Sequence, residues 1–94
     1  MTVIRTAEEQ RNLVESTMRM LLHVVQRDKI VISADMRVSE KDAAKMAGYA
    51  HGSFKNLRNQ GFGPIYYNRA VAGCRVSYRL MDLAAWLEER RETG

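Results

Sequence analysis

From Ala7 to Arg27 the chain carries neither glycine nor proline, whereas from Gly48 onward it is punctuated by Gly61, Gly63, Pro64 and Gly73. This contrast constrains the fold most. It allows one long helix followed by short elements, none of which is stable alone in water. In the long run, Val14, Met18, Leu21 and Val25 recur at alternating steps of four and three and share one face. Leu13, Leu22 and Val24 widen that face beyond a coiled-coil seam. Thr6 followed by Glu9 is a capping-box pattern. Glu8 and Glu9 at the start and Arg27 near the end suit the helix dipole.

After this helix, Ile30, Val31 and Ile32 form a short β-prone patch, and Asp35 to Arg37 reads as a connector. Ser39 and Asp42 form a capping pair for a second helix that includes Ala43, Ala44, Met46 and Ala47 and stops at Gly48. A third helix is expected over residues 51–60, with Phe54 and Leu57 facing a core. Gly61, Gly63 and Pro64 then turn the chain. Residues 65–68 and 74–80 read as two strands of a hairpin around 69–73. A last helix is expected from Asp82 to Arg91, with Leu83, Trp86 and Leu87 on its buried side and Arg90 and Arg91 at its basic end.

The expected fold class is mainly α with a small β-hairpin. This is a winged helix-turn-helix with an additional N-terminal amphipathic helix. The expected division is residues 1–34 as helix and connector and residues 35–94 as the winged helix-turn-helix unit. The core is expected to contain Ala43, Met46, Phe54, Leu57, Tyr78, Leu83, Trp86 and Leu87. Tyr66 and Tyr67 alternate across a strand, so one is expected to pack and the other to face out.

Composition narrows the function. Within 94 residues, 46% hydrophobic and 28% charged residues are ordinary for a globular chain. A single cysteine, Cys74, excludes an internal disulfide, and with two histidines, His23 and His51, it gives no structural zinc pattern. No cofactor or metal is expected. No nucleophile–base pair or phosphate loop appears, so an enzyme is not expected. The apolar stretches are too short to span a membrane, and the acidic N-terminus is unlike a secretory signal. A cytoplasmic setting, in a bacterial or phage-infected cell, is the expectation.

Charge placement carries the most functional information. The net charge is +4, from 15 Lys and Arg against 11 Asp and Glu. No acid occurs between Asp42 and Asp82, a stretch that contains Lys45, Lys55, Arg58, Arg69, Arg75 and Arg79. Acids there would repel phosphates, whereas each cation that neutralises a phosphate releases condensed counterions. Lys55, Asn56, Arg58 and Asn59 on the third helix supply the donors and acceptors that read base edges in a major groove. Ser53, in the first turn, suits a phosphate. Arg69 and Arg75 flank the hairpin tip, where an arginine fits a minor groove, and Arg79 reaches the backbone or neutralises Asp82.

Several segments resemble the small excisionase and AlpA-type regulators of the MerR-like winged-helix group. Val38 to Gly48 is similar to their first helix, Ser53 to Gly61 to their recognition helix, and Gly63-Pro64 with Gly73 to Arg79 to their wing. Asp82 to Leu87 is similar to their closing helix. The resemblance implies a recognition helix in the major groove, carrying Lys55, Asn56, Arg58 and Asn59, and a wing carrying Arg75. Ala50 and Met81 depart from it, standing where capping residues are usual, and the wing tip is less basic.

The expected function is sequence-specific binding of double-stranded DNA, as a phage or mobile-element excisionase or a transcription regulator. A recombinase or the transcription machinery would be the further partner. Alternatives are a DNA-recognition packaging subunit of the small-terminase kind, or a protein-interaction module using helix 7–27. For that helix, the stripe Val14, Met18, Leu21 and Val25 is expected to pair with a second copy in a homodimer, the other reading being packing within the chain.

Overall fold

The computed structural model describes residues 5–89. In it, helix α1 spans Ala7–Arg27, strand β1 Arg37–Ser39, helix α2 Glu40–Ala47, helix α3 His51–Asn59, strand β2 Ser77–Arg79 and helix α4 Leu80–Glu89. The architecture is mainly helical with a small two-stranded antiparallel sheet. No helix among the described residues is long and apolar enough to cross a membrane.

Helix α1 has the expected bounds. The Thr6 hydroxyl accepts from the Glu9 N–H at 3.1 Å and donates to the Glu9 carboxylate. The stripe Val14, Met18, Leu21 and Val25 packs within the chain. Leu21 and Val25 are buried, Val14 and Met18 pack against the same core, and α1 lies along α4. The reason is area. The segment from β1 to α4 is small, and α1 shields the side of α4 that it leaves open.

The sheet differs from the expected hairpin. Residues 30–32 form no strand; Ile30 and Ile32 instead pack beside the core, and the Ile30 N–H bonds the Val25 carbonyl. The strand is Arg37–Ser39, part of which was read as a connector, and it pairs with Ser77–Arg79. β propensity in 30–32 is not enough without a partner edge, and β2 supplies that edge to 37–39. The chain does fold back over 67–77, but only through single pairings of Tyr67 with Ser77 and Val71 with Cys74. The tip is a two-residue turn with positive φ at Ala72 (52°) and Gly73 (81°), the combination whose twist matches antiparallel strands.

Helices α2 and α4 each begin where a strand ends. The Glu40 N–H donates to the Val76 carbonyl at 3.0 Å, and the Leu80 N–H to the Met36 carbonyl at 2.9 Å. The sheet thus satisfies the first amide of both helices. It also explains why α4 starts at Leu80, ahead of Asp82. The basic end expected at Arg90 and Arg91 lies outside the described residues.

The core joins Val38, Ala43, Ala44, Phe54, Val76, Tyr78, Leu80, Leu83, Ala84 and Trp86 to Leu21 and Val25. Leu57, Met46 and Leu87 are partly buried against it. Phe54 is its hinge, with ring centroids 5.2 Å from Tyr78 and 5.9 Å from Trp86, the latter edge-on. The Trp86 indole N–H donates to the Phe62 carbonyl at 2.9 Å, which pins the turn after α3. The two neighbouring tyrosines behave as alternation predicts: Tyr66 is 42% exposed, while Tyr67 is half-buried.

Candidate nucleic-acid interface

Helix α3 owes its position to a short turn and one aromatic anchor. Gly48 ends α2 in the left-handed region at φ 84°, and the Tyr49 N–H closes back on the Ala44 carbonyl at 2.9 Å. Ala50 takes the N-cap position with extended backbone but supplies no side-chain bond. Phe54 is buried and Leu57 half-buried, so the other side of the helix presents Ser53, Lys55, Asn56 and Asn59 to solvent.

Between α3 and the 67–77 hairpin lies a cleft of about 420 Å³. Lys55 and Asn59 contribute from the helix, and Asn68 and Arg75 from the hairpin. Lys55 and Arg75 are exposed cations, with no ion pair to any described acid. Cys74 and Val76 line the same space.

Among the described residues, the one acid lining the cleft is Glu40, 4% exposed. Its carboxylate accepts from Arg58 Nε at 2.6 Å and from the Tyr78 hydroxyl at 2.8 Å, and it meets His51 Nε2 at 3.3 Å. Burial pushes the Glu40 carboxyl upward, but the bonds from Arg58 and Tyr78, with the Arg58 charge and His51, outweigh it and hold the pKa below the usual range. Conversely, burial and then the Glu40 bond and charge push the Tyr78 hydroxyl far up. Glu40 therefore stays ionised while its charge is shared by three donors, and Lys55 and Arg75 are the exposed charges of the cleft.

The remaining expected residues are placed as follows. Arg58 lines the cleft but is turned onto Glu40, its guanidinium carbon 5.4 Å from the centre of the Tyr66 ring. Ser53 and Asn56 are exposed outside the cleft lining. Arg69 is exposed near the hairpin tip, and its carbonyl accepts from Arg37 at 3.3 Å. Arg79 pairs with Asp35 at 3.6 Å, not with Asp82, and lies 5.1 Å over the Tyr67 ring, with Arg37 also within 5.7 Å of that ring. The bond from Arg37, followed by that from Ser33, holds the Asp35 carboxyl well below the ordinary carboxylate range.

The structure thus brings Lys55, Arg58, Asn59 and Arg75 together, and leaves Ser53, Asn56, Arg69 and Arg79 around them. Asn68 and Glu40 escaped the sequence reading. A hairpin around 69–73 already places Asn68 opposite the strand that carries Arg75, so that signal was present. Glu40 gave none, because its partner Arg58 is 18 positions away. His51 belongs to the same network, and His23 is exposed on α1. Among the described residues no group of three His, Cys, Asp or Glu is placed to hold a metal.

Comparison of the chain with protein-family models, with curated proteins and with solved structures finds no match.

Proposed function

We propose that the chain is a sequence-specific double-stranded DNA-binding protein of winged helix-turn-helix type. α3 enters the major groove, and the 67–77 hairpin serves as a wing against the minor groove or backbone. The observation that carries this reading is the cleft, where cations and amides from α3 and the hairpin converge and, among the described residues, the only lining acid is buried and bonded. Lys55 and Arg75 neutralise phosphates there, while Asn56 and Asn59 are exposed for base edges. Excision of a mobile element and transcription control both use this chemistry, with a recombinase or the transcription machinery as the further partner; so does a packaging subunit. The interaction-module alternative is less favoured, because the apolar face of α1 is already occupied by the chain itself. For the same reason the proposal includes no dimer through that face.

The test is a titration against random-sequence duplexes across a salt series, with bound sequences read out. An enriched motif and a steep fall of affinity with salt support the reading. Cys74, the single cysteine, lines the cleft and reports on occupancy. Selected DNA should slow its alkylation, whereas random DNA at the same concentration should slow it less. Failure to bind any duplex at low salt refutes the proposal.

A further inference from the structure

Arg58 was expected to read bases, and its surroundings argue otherwise. Its side chain is 16% exposed, unlike the exposed Lys55, Asn56 and Asn59 of the same helix. Nε lies 2.6 Å from Glu40 Oε2 and Nη2 3.4 Å from Glu40 Oε1, a two-point pairing of guanidinium with carboxylate. The Tyr66 ring flanks it. To reach a base, the guanidinium would have to leave a buried carboxylate short of its main counter-charge, beside the phosphates of the incoming DNA. Glu40 in turn is bonded to Tyr78 of β2 and starts α2, so the pair joins α2, α3 and the sheet at one point.

We infer that Arg58 is a positioning residue: paired with Glu40, it fixes α3 against β2 and offsets the negative charge of Glu40 in the cleft, leaving sequence discrimination to Asn56 and Asn59. The inference rests on the DNA reading above. It separates residues that lie side by side on one helix. As a unit, the Glu40–Arg58 pair adds no net charge to the cleft. Removing Arg58 alone leaves the Glu40 carboxylate with Tyr78 and His51 but without the guanidinium charge, beside the DNA, whereas removing both charges restores the original balance.

The experiment compares the wild-type chain with Arg58→Met, the double variant Glu40→Gln/Arg58→Met, and Asn56→Ala, on a selected duplex and a random duplex over a salt series. Arg58→Met should weaken both duplexes by a similar factor, about tenfold, with their affinity ratio preserved. The double variant should recover to within about threefold of wild type on both, with an unchanged salt slope. Asn56→Ala should lower the ratio about tenfold. Circular dichroism confirms that each variant is folded, and the double variant keeps the test open if Arg58→Met is not. A fallen ratio in Arg58→Met, or a double variant as weak as the single one, overturns the assignment while leaving the DNA reading standing. No binding by the wild-type chain overturns both.

Discussion

Leu21 decides whether α1 belongs to the core of its own chain. It is 6% exposed, in a cluster that includes Leu83, Ala84 and Trp86 of α4, whereas its neighbour Met20 is 63% exposed. Leu21→Ala removes buried methyl and methylene groups and leaves a cavity bounded by two helices, which costs about 2–4 kcal/mol. A domain of this size is stable by roughly 5–14 kcal/mol, so the loss is a large fraction of the total. At about 4–8 °C per kcal/mol for a domain of this length, the melting midpoint should fall by roughly 8–32 °C. Met20→Ala should change stability by less than about 0.5 kcal/mol. The assay is thermal and urea unfolding followed by circular dichroism at two protein concentrations, with mass by sedimentation. A midpoint for Leu21→Ala that falls at both concentrations, with unchanged mass, supports packing within the chain. A stability unchanged to within about 0.5 kcal/mol, together with loss of a dimer in sedimentation, would show that this face binds a second copy and would refute the reasoning.

Three further outcomes follow from particular contacts. Tyr78→Phe removes a buried hydroxyl that donates to ionised Glu40 and should cost about 1.5–3 kcal/mol at neutral pH. Because the folded Glu40 pKa is depressed, its contribution is present above the unfolded value of 4.5 and is lost as pH falls through the folded value. The difference between Tyr78→Phe and wild type should therefore shrink on acidification below pH 4.5; a constant difference in urea titrations from pH 7 to 3 would contradict this. Ala50→Ser supplies the capping oxygen that α3 lacks and should raise stability by about 0.5–1 kcal/mol in the same urea assay. Arg75→Ala should weaken all duplexes evenly and lower the salt slope by about one unit, whereas a changed motif in the selected pool would make Arg75 a base reader.

The helices were legible because their signals are local. Thr6 with Glu9, Ser39 with Asp42, and Gly48 each lie within a turn of the backbone groups they satisfy, and the apolar stripe of α1 is a periodicity any reader can count. Acid-free residues between Asp42 and Asp82 were equally visible, and they line the two walls of the cleft. Strand pairing was less so. Arg37–Ser39 has no stronger β character than Ile30–Ile32, and what makes it a strand is Ser77–Arg79, far along the chain.

By itself, then, the sequence determined the run of helices, their caps and the side of the molecule that carries positive charge, since each depends on neighbours within a few residues. Tertiary structure alone decided three things. α1 spends its stripe on α4. Asn68 joins Asn59 in one cleft. Arg58 turns inward to Glu40 while Asn56 and Asn59 stay exposed. Each is a contact between residues distant in sequence, and which partner a side chain meets depends on how the elements pack, which no local pattern encodes.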